Sequence, residues 1–554
     1  MYSTNIKLRF FSLLFGLSLT ILASFIPIIK ILQNSTSYEA IYESQFLKYI
    51  YFNGSRGSIL DRNGNILATN MLARSFNTHP EQEPLFKRSK NLLDSISSLS
   101  DLHIIRHNKN PSKLSIYTYN HQNMNFSKNI QVTKFKPHKN LKRIYPFHGL
   151  LGQSLGSVNL DNLPLNGFEK TFHFYLNSFR SFLIPSLINS KKSKFNNCTA
   201  PLPYDLKAPD LWLTINSNIQ FITESILQKT IEQFNAAGGW AIVMLTTSGE
   251  ILAIANAPCI NPNNSSQSYE NDLRNSSLAR SFEPGSIFKI VTMAANLEND
   301  LSDPDFKIYC ENGLLNVNNI QIKDVSSKQW LSRTEIFKYS SNIGSFKLAE
   351  RIGEKVLYEY IHKLGFGKYI LDIPHSEEAR GSVPKIKEWN FARFANISYG
   401  YGLTTTSLQL LNMINSIANN GIQIPPKILK QISSSNNVKK INPISASRKR
   451  ILTEQAALNI KNMMLEVVKN GSGKRAYTEG LLIAGKTGTV EKVLNKSYNK
   501  TLNISSFAGF APAFSPIVSA LICIDEPKPQ AFGGIVAAPA WKEIIELTLL
   551  ELGS

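Results

Sequence analysis

Cysteine is scarce in this chain, with only four in 554 residues: Cys198, Cys259, Cys310 and Cys523. They lie far apart, and no Cys-x-x-Cys pair or Cys/His cluster occurs. The spacings of zinc-binding motifs are therefore absent, and the sequence predicts no metal site. Four cysteines permit a disulfide, but their positions do not indicate one.

Acidic residues are also in short supply, since 60 Lys and Arg oppose 40 Asp and Glu and leave a formal net charge of +20. More than half of this excess falls in residues 1–205. A basic region can bind nucleic acid, but no finger spacing, aromatic RNA-binding signature or long basic helix accompanies it. We therefore expect no nucleic-acid partner, and expect attraction to anionic lipid or to an anionic wall polymer instead.

A long uncharged run occurs at the amino end, where Phe10 to Ile29 carry no charge. A run of about twenty apolar residues spans the hydrocarbon core of a bilayer. Lys7 and Arg9 precede it and predict a cytoplasmic amino terminus with the rest of the chain outside. We predict a cytoplasmic tail at residues 1–9 and an uncleaved anchor at 10–32. A cleaved signal peptide is the alternative, although no clear Ala-x-Ala site follows.

Residues 33–205 are predicted to form a first domain. Residues 36–50 favour a helix, and Asn63-Gly64 between two apolar runs predicts a hairpin turn. Glycine-containing pieces at 149–158 and 167–172 favour strands and turns, and residues 188–203 favour a linker.

Residues 206–554 are predicted to form a second domain that has strands at both ends and helices between them. This order indicates one sheet assembled from distant segments, flanked by helices. The predicted strands are 211–215, 239–245, 251–255, 481–486, 505–511 and 517–524. The predicted helices, besides those that carry the motifs below, are 217–234, 408–419, 456–469 and 539–552.

The segment from Ser286 to Leu297 is predicted to be a helix, because its apolar residues recur at spacings of three and four. Ser286 then falls at the helix start, where free backbone N–H groups favour negative charge. Lys289 lies about one turn on, within reach of Ser286. A lysine desolvated by apolar neighbours can lose its proton and activate a serine as nucleophile. The alternative is an ordinary helix cap beside a solvated lysine.

Two later motifs strengthen the catalytic interpretation. The segment Ser340 to Asn342 supplies Ser-x-Asn, and the segment Lys486 to Thr489 supplies Lys-Thr-Gly-Thr. The order Ser-x-x-Lys, Ser-x-Asn, Lys-Thr-Gly is the signature of penicillin-binding proteins and serine β-lactamases. Taken singly, the first segment fits a helix cap and the second an ordinary strand. Together, in order and at domain-scale spacing, the motifs predict one catalytic pocket.

The segment Gly480 to Thr487 also matches the phosphate-loop pattern Gly-x-x-x-x-Gly-Lys-Thr. That loop needs a flexible turn after a strand and a helix that begins at the Lys-Thr pair. Here Leu481 to Ala484 are apolar and favour the strand itself, and Gly488 disfavours a helix directly after. The sequence therefore argues against a nucleotide site.

Nearly the whole chain resembles the class B high-molecular-mass penicillin-binding proteins. The resemblance is carried by the anchor, the hairpin of residues 56–68, the three motifs, Arg274-Asn275, Trp389, and the segments Ser398 to Leu403 and Phe507 to Pro512. Glu283-Pro-Gly-Ser, Ser340-Ser-Asn-Ile-Gly and Ile524-Asp-Glu-Pro are more similar to division-specific members than to elongation-specific ones. Ile287 stands where the family usually has threonine, and residues 75–142 depart most from it.

This resemblance implies a mixed α and β multidomain fold. It consists of a membrane helix, an elongated and mostly β pedestal domain, and a C-terminal penicillin-binding domain. As in β-lactamases, the last domain would have a central antiparallel sheet flanked by helices.

The resemblance also implies a mechanism. Ser286 would attack the carbonyl of the penultimate D-alanine of a stem pentapeptide, and Lys289 would take its proton. Ser340, held by Lys289 and Lys486, would relay a proton to the leaving D-alanine. The implied substrate-binding residues are Asn342, Thr487, Gly488 and Thr489. Asn342 would bond a substrate amide, and Lys486 with the hydroxyls of Thr487 and Thr489 would hold the terminal carboxylate. Gly488 would let the strand that lines the substrate groove approach the substrate closely. Backbone N–H groups of Ser286 and Thr489 would form the oxyanion hole, with no cofactor or metal.

The implied substrates are peptidoglycan stem peptides that end in D-Ala-D-Ala, with β-lactams as inhibitors. The implied location is the bacterial inner membrane, with a periplasmic catalytic domain. An FtsW-type glycosyltransferase and other division proteins would be partners. The alternatives are an elongation-specific transpeptidase, a non-catalytic division scaffold, and a membrane-anchored β-lactamase or penicillin sensor.

Overall fold

The computed structural model describes residues 2–33, 47–52, 55–75, 102–106, 114–118, 138–159, 162–177, 182–187, 208–264, 275–300, 306–433, 447–494 and 497–553. The chain divides into two compact units. Residues 1–55 and 178–207 form the first unit, and residues 56–177 and 208–554 form the second. The boundary expected between residues 205 and 206 stays a prediction.

The first unit contains the predicted anchor, a helix that spans Tyr2–Gln33. Its segment Phe11–Ile28 has a mean hydropathy of 2.1 and is long and apolar enough to cross a membrane. The strand Leu47–Phe52 pairs antiparallel with Phe182–Leu187. The helix predicted over residues 36–50 is therefore wrong at 47–50, where aromatic and β-branched side chains favour a strand. Residues 34–46 and the predicted linker at 188–203 lie outside the described residues.

A five-stranded antiparallel sheet organises the second unit, and we call it the central sheet. Its strands lie in the order Ile251–Ala257, Gly238–Leu245, Val518–Asp525, Ser497–Ala511 and Ala484–Leu494. The last of these is an edge strand, which we call the Lys486 strand. The sheet therefore joins segments from the two ends of the second domain, as the sequence predicts.

Side-chain alternation along the central strands divides the interior into two hydrophobic cores. Ala241 and Val243 pack on one face, against the helices Ser217–Gln233 and Gly533–Gly553. Trp240, Ile242 and Met244 face the other core, which also contains residues of the helices Lys289–Asn299, Asn342–Lys363 and Ser407–Ala418. Successive strand residues point to opposite faces, so a strand apolar at every position must be covered on both sides.

Most predicted elements of the second domain are confirmed within two residues, but four differ by more. The Lys486 strand spans Ala484–Leu494, so Leu481 to Ile483 are not part of it and it continues past its predicted end at Lys486. The strand predicted at 505–511 begins earlier, at Ser497. The last helix begins at Gly533 and contains Pro539. Ser286 lies in a 3₁₀ turn, Gly285–Phe288, and the α-helix follows as Lys289–Asn299.

Residues 56–177 share a second sheet with strands of the later chain. Its order is Leu429–Ser433, Asp210–Leu213, Ile59–Leu60, Ile66–Ser75 and His138–Ile144. The predicted hairpin at Asn63-Gly64 is confirmed, with Gly64 at φ 95°. The strands and turns predicted at 149–158 and 167–172 are wrong in part, because Gly152–Leu155 and Gly167–Thr171 are short helices.

A buried ion cluster ties this hairpin to those helices. Glu169 bonds Arg56 Nε at 2.6 Å and Arg143 Nε at 2.7 Å. Arg143 also donates to the carbonyl of Gly57 at 2.7 Å. An unpaired buried charge costs several kcal/mol, so each member depends on the others.

The remaining elements complete the second unit. Its other helices are His173–Leu176, Ser276–Ala279, Arg333–Tyr339, Asn342–Lys363, Phe391–Ser398, Ser407–Ala418 and Glu454–Asn470, with further 3₁₀ turns at Glu311–Gly313, Ile386–Glu388 and Lys474–Ala476. Its two-stranded pairs are Leu102–Arg106 with Leu114–Thr118, Ser281–Phe282 with Thr405–Thr406, Lys307–Tyr309 with Trp330–Ser332, Leu314–Val317 with Ile320–Lys323, and Ile422–Gln423 with Lys449–Arg450.

Candidate active site

The turn that carries Ser286 lies between two other segments. Gly285, at φ 53°, donates from its N–H to the carbonyl of Gly400 at 3.0 Å. A Cβ on Gly285 would lie 3.1 Å from the carbonyl oxygen of Thr489, on the Lys486 strand. The side chains of Ile287 and Phe288 are fully buried. Close backbone contacts and buried anchors thus fix Ser286 beside the edge of the central sheet.

Lys289 directs its amine back to the Ser286 turn. Its Nζ lies 3.0 Å from Ser286 Oγ, 3.0 Å from Ser340 Oγ and 2.6 Å from the Ser340 carbonyl. The side chain is 2% exposed. The structure therefore brings together the first two motifs, which are 51 residues apart in sequence.

Lys486 approaches the same hydroxyl from the central sheet. Its Nζ lies 3.0 Å from Ser340 Oγ and 5.7 Å from the centre of the Phe337 ring. It is completely buried. The Ser340 hydroxyl thus lies between two lysine amines, one from the helical core and one from the edge strand.

Burial sets the protonation of both amines. Desolvation holds the pKa of Lys289 well below its ordinary value of 10.5, and the charge of Lys486 lowers it further. Desolvation lowers the pKa of Lys486 to about 7. A buried lysine favours its neutral form, because the low-dielectric interior disfavours charge. A neutral Lys289 amine, 3.0 Å from Ser286 Oγ, can accept a proton from that hydroxyl.

The second-motif loop is held by a residue that the sequence did not reveal. Ser340 has left-handed backbone geometry, with φ 59° and ψ 42°. The Asp324 carboxylate accepts from Ser341 Oγ at 2.5 Å and from the N–H groups of Asn342 and Ile343 at 2.5 and 3.0 Å. It thereby anchors the start of the helix Asn342–Lys363. Asp324 precedes Ser341 by 17 residues, and no local pattern connects them.

The predicted substrate-binding side chains have other partners in the structure. Asn342 Nδ2 donates to the Lys323 carbonyl at 2.8 Å. Thr487 Oγ1 lies 2.7 Å from Ser472 Oγ, another residue that sequence reasoning missed. Thr489 Oγ1 accepts from the N–H of Gly533 at 3.0 Å. In the part of the chain that the structure describes, no hydrogen bond joins these three side chains to the cluster of Ser286, Lys289, Ser340 and Lys486, so their substrate roles stay predictions.

The structure explains why position 488 requires glycine, and the explanation differs from the expected one. The sequence predicts a glycine that lets a substrate approach the strand closely. A Cβ at this position would instead lie 2.4 Å from Ser506 Oγ and 3.1 Å from the Ile287 side chain. The glycine lets the Lys486 strand pack against the Ser286 turn.

The phosphate-loop pattern does not form its required geometry. Residues Gly485 to Thr489 lie within the strand Ala484–Leu494, and no helix begins at Lys486. The described residues also contain no group of three or more His, Cys, Asp or Glu side chains that could hold a metal ion. Cys259, Cys310 and Cys523 are free thiols, while Cys198 lies outside the described residues.

Comparison with known proteins agrees with the geometry. The family model for the penicillin-binding protein transpeptidase domain matches residues 239–546, which is more than half of the chain. The chain belongs to the penicillin-binding protein transpeptidase family. The predicted multidomain fold of this family is thereby confirmed.

Relatives and a solved structure extend the match beyond that domain. Peptidoglycan D,D-transpeptidase FtsI of Buchnera aphidicola subsp. Baizongia pistaciae is 30% identical over 541 residues, covering 94% of this chain and 91% of the relative. The probable peptidoglycan D,D-transpeptidase PbpC of Pseudomonas aeruginosa is 30% identical over 514 residues, covering 90% of this chain and 87% of the relative. Penicillin-binding protein 3 of Mycobacterium tuberculosis, solved with aztreonam, shares the fold with a TM-score of 0.70 and 24% sequence identity. The match covers 91% of this chain and 97% of that structure. These relatives place the chain in class B of the family.

We predict that Asp324→Asn destabilises the folded chain. The amide loses the negative charge that accepts three hydrogen bonds and turns an N–H₂ group toward one of the three donors. We expect the free energy of unfolding to fall by about 2 kcal/mol, as for other lost hydrogen bonds to charged groups. Urea unfolding measures this change. Gln321→Ala, at an exposed site on the preceding strand, is the control and should change it by less than about 0.5 kcal/mol. Equal effects of the two variants would contradict the role of Asp324.

Proposed function

We propose that this protein is a serine D,D-transpeptidase that cross-links peptidoglycan stem peptides through an acyl-enzyme. The observation that carries the proposal is the Ser340 hydroxyl, 3.0 Å from each of two buried amines, with Ser286 bonded to one of them. A nucleophile, a base and a proton relay are thereby in contact before any substrate arrives. Such pre-positioning supplies a large share of catalysis.

In the acylation step, Ser286 Oγ attacks the carbonyl carbon of the penultimate D-alanine while neutral Lys289 accepts the hydroxyl proton. The backbone N–H groups of Ser286 and Thr489 stabilise the oxyanion. Ser340 passes a proton to the amine of the terminal D-alanine, which leaves as the C–N bond breaks, and Ser340 regains a proton from Lys289 at 3.0 Å. The product is an ester between Ser286 and the shortened peptide.

In the second step, the amine of a neighbouring stem peptide attacks this ester. A peptide bond forms, the ester bond breaks, and the proton lost by the attacking amine passes through Ser340 and Lys289 to Ser286 Oγ. A β-lactam resembles D-Ala-D-Ala and acylates Ser286 in the same way. Its ring carbonyl becomes the ester, and the ring nitrogen takes the proton.

The edge of the central sheet supports binding of an extended peptide. Among the described strands, the Lys486 strand pairs only with Ser497–Ala511, so one of its edges is unpaired. An extended peptide can add to such an edge through main-chain hydrogen bonds. The edge lies beside Ser286, since Gly285 contacts Thr489. Lys486, Thr487 and Thr489 would bind the terminal carboxylate there, and Asn342 a substrate amide.

We further propose that the enzyme acts in septal wall synthesis during cell division. The motif variants Glu283-Pro-Gly-Ser, Ser340-Ser-Asn-Ile-Gly and Ile524-Asp-Glu-Pro favour the division role over the elongation role, and the 30% identity to a relative named FtsI agrees with it. The apolar helix supports a single-pass anchor in the inner membrane, and Lys7 and Arg9 support a cytoplasmic amino terminus. The catalytic domain is then periplasmic, where a glycosyltransferase of the FtsW type would supply the glycan strands.

We predict that fluorescent penicillin labels the purified full-length protein covalently and that Ser286→Ala abolishes the label. The variant removes the nucleophile but leaves the fold, because alanine fits the space of serine. Ser281→Ala is the matched control, since Ser281 is an exposed serine five positions earlier in the same segment. Label is read by denaturing gel electrophoresis. Equal labelling of wild type and Ser286→Ala would refute the proposed nucleophile.

We predict that the full chain restores septation in bacteria depleted of their own division-specific class B transpeptidase. It should not restore rod shape in bacteria depleted of the elongation-specific enzyme. Microscopy of cell length and width measures both outcomes. Rescue of elongation alone would contradict the septal role, and rescue of division by Ser286→Ala would indicate a scaffold instead of an enzyme.

A further inference from the structure

Glu283 connects three segments around the nucleophile, although the catalytic steps above do not use it. It precedes Ser286 by three residues. Its Oε1 accepts a hydrogen bond from the N–H of Gly402 at 2.7 Å and another from the Tyr498 hydroxyl at 3.2 Å. Its Oε2 is buried and has no hydrogen-bond partner. Both observed bonds therefore depend on a single carboxylate oxygen.

The first of these segments is the loop between the helix Phe391–Ser398 and the strand Thr405–Thr406. This loop already contacts the Ser286 turn through its backbone. Gly400, at φ 97°, accepts from the Gly285 N–H at 3.0 Å, and a Cβ on Gly400 would lie 2.0 Å from the Gly285 carbonyl oxygen. The bond from Glu283 to Gly402 fixes the loop at a second point, two residues further along.

The second segment is the hairpin that continues the Lys486 strand into Ser497–Ala511. Tyr498 lies near the start of the returning strand and pairs with Val493. Its ring packs edge-on against Tyr401 at 5.7 Å, and Tyr401 packs in turn against Tyr399 at 5.9 Å. The loop and the hairpin thus contact each other through tyrosine rings, and each donates one hydrogen bond to the Glu283 carboxylate.

We propose that Glu283 is a positioning residue that ties the Tyr399–Gly402 loop and the Tyr498 hairpin to the Ser286 turn, and so sets the distance of the loop and the hairpin from Ser286. The residue acts through these two elements and takes no part in proton transfer. Its loss should therefore weaken substrate binding and leave the chemical step nearly unchanged. This inference rests on the proposed transpeptidase function.

The ionisation of the Glu283 carboxyl determines how the contacts of the loop and the hairpin with Glu283 respond to pH. Burial raises the pKa of its carboxyl, and the bonds from Gly402 and Tyr498 lower it in part. The titratable groups facing it are Tyr498 from the hairpin and Tyr401 from the loop, and Tyr401 is flanked by Tyr399 and Glu491. The raised pKa means that the cost of burying the charge outweighs the two bonds. By linkage, protonation then stabilises the buried arrangement relative to one in which the carboxyl is exposed, so a fall in pH through this pKa should not separate the loop and the hairpin from Glu283.

The test uses the full-length protein and the kinetics of acylation by a fluorescent penicillin, resolved into the dissociation constant of the first complex and the acylation rate constant. We expect Glu283→Ala to raise the dissociation constant at least about tenfold, with less than about a twofold change in the rate constant, since a hydrogen bond to a charged group is lost. Tyr498→Phe removes one hydroxyl and should produce a smaller rise. Tyr477→Phe, at another half-exposed tyrosine, should change neither constant.

Glu283→Gln separates charge from geometry. Its amide oxygen can still accept both bonds, so we expect near-normal binding at neutral pH. Because protonation favours the buried arrangement, wild type and Glu283→Gln should also bind alike as the pH falls through the Glu283 pKa. A dissociation constant raised as much in Glu283→Gln as in Glu283→Ala, or a change confined to the rate constant in both Glu283→Ala and Tyr498→Phe, would overturn the proposal.

Hydrogen exchange keeps the proposal testable if the protein does not react with penicillin. The Gly402 amide is protected by Glu283, so its exchange should accelerate at least about tenfold in Glu283→Ala and remain slow in Glu283→Gln. Exchange in the helix Ser407–Ala418 should be unchanged in both, which checks that the fold is intact. Equal exchange rates of the Gly402 amide in wild type and Glu283→Ala would show that Glu283 does not hold this loop, whatever the outcome of the labelling experiment.

Discussion

The contact of the Ser340 hydroxyl with two buried amines is the constraint on which the site depends. A hydroxyl has one proton and two lone pairs, so it can accept from a charged amine while donating to a neutral one. Two ammonium groups around it, shielded from water, would repel each other strongly. The pocket therefore favours a neutral Lys289, which is the form able to activate Ser286.

The fold makes this contact by bringing distant parts of the chain to one sheet edge. Lys486 belongs to the central sheet, while Lys289 belongs to a helix, Ser286 to the 3₁₀ turn before that helix, and Ser340 to the loop between two other helices. Each group is held by backbone or by buried neighbours: Gly285 by Gly400, and the Ser340 loop by Asp324. Left-handed backbone at Ser340 costs free energy, and the three bonds to Asp324 offset that cost.

Much of this arrangement follows from local sequence signals. Apolar periodicity locates the helices Ser407–Ala418 and Glu454–Asn470, and Asn63-Gly64 locates a hairpin turn, because these patterns reflect local geometry and burial. The motifs indicate which residues meet, since three rare patterns in fixed order seldom arise together by chance.

Other features depend on contacts that the local sequence does not encode. Asp324 acts on a loop 17 residues away, and Gly488 is required by the packing of Ile287 and Ser506. The short helices near Gly152 and Gly167 were mistaken for strands and turns because glycine weakens the periodic signal. The last helix begins before Pro539 because its apolar face, including Val536 and Trp541, is buried against the central sheet.

The most direct test of this account is the protonation of Lys289 in the folded protein. Nitrogen-15 NMR of the lysine side chains, with Lys289 assigned by loss of its signal in Lys289→Arg, gives the pKa of this amine. The account predicts a pKa well below 10.5 and a neutral amine under mildly alkaline conditions. An amine that stays charged until the pH approaches 10.5 would contradict it, because Ser286 would then have no base.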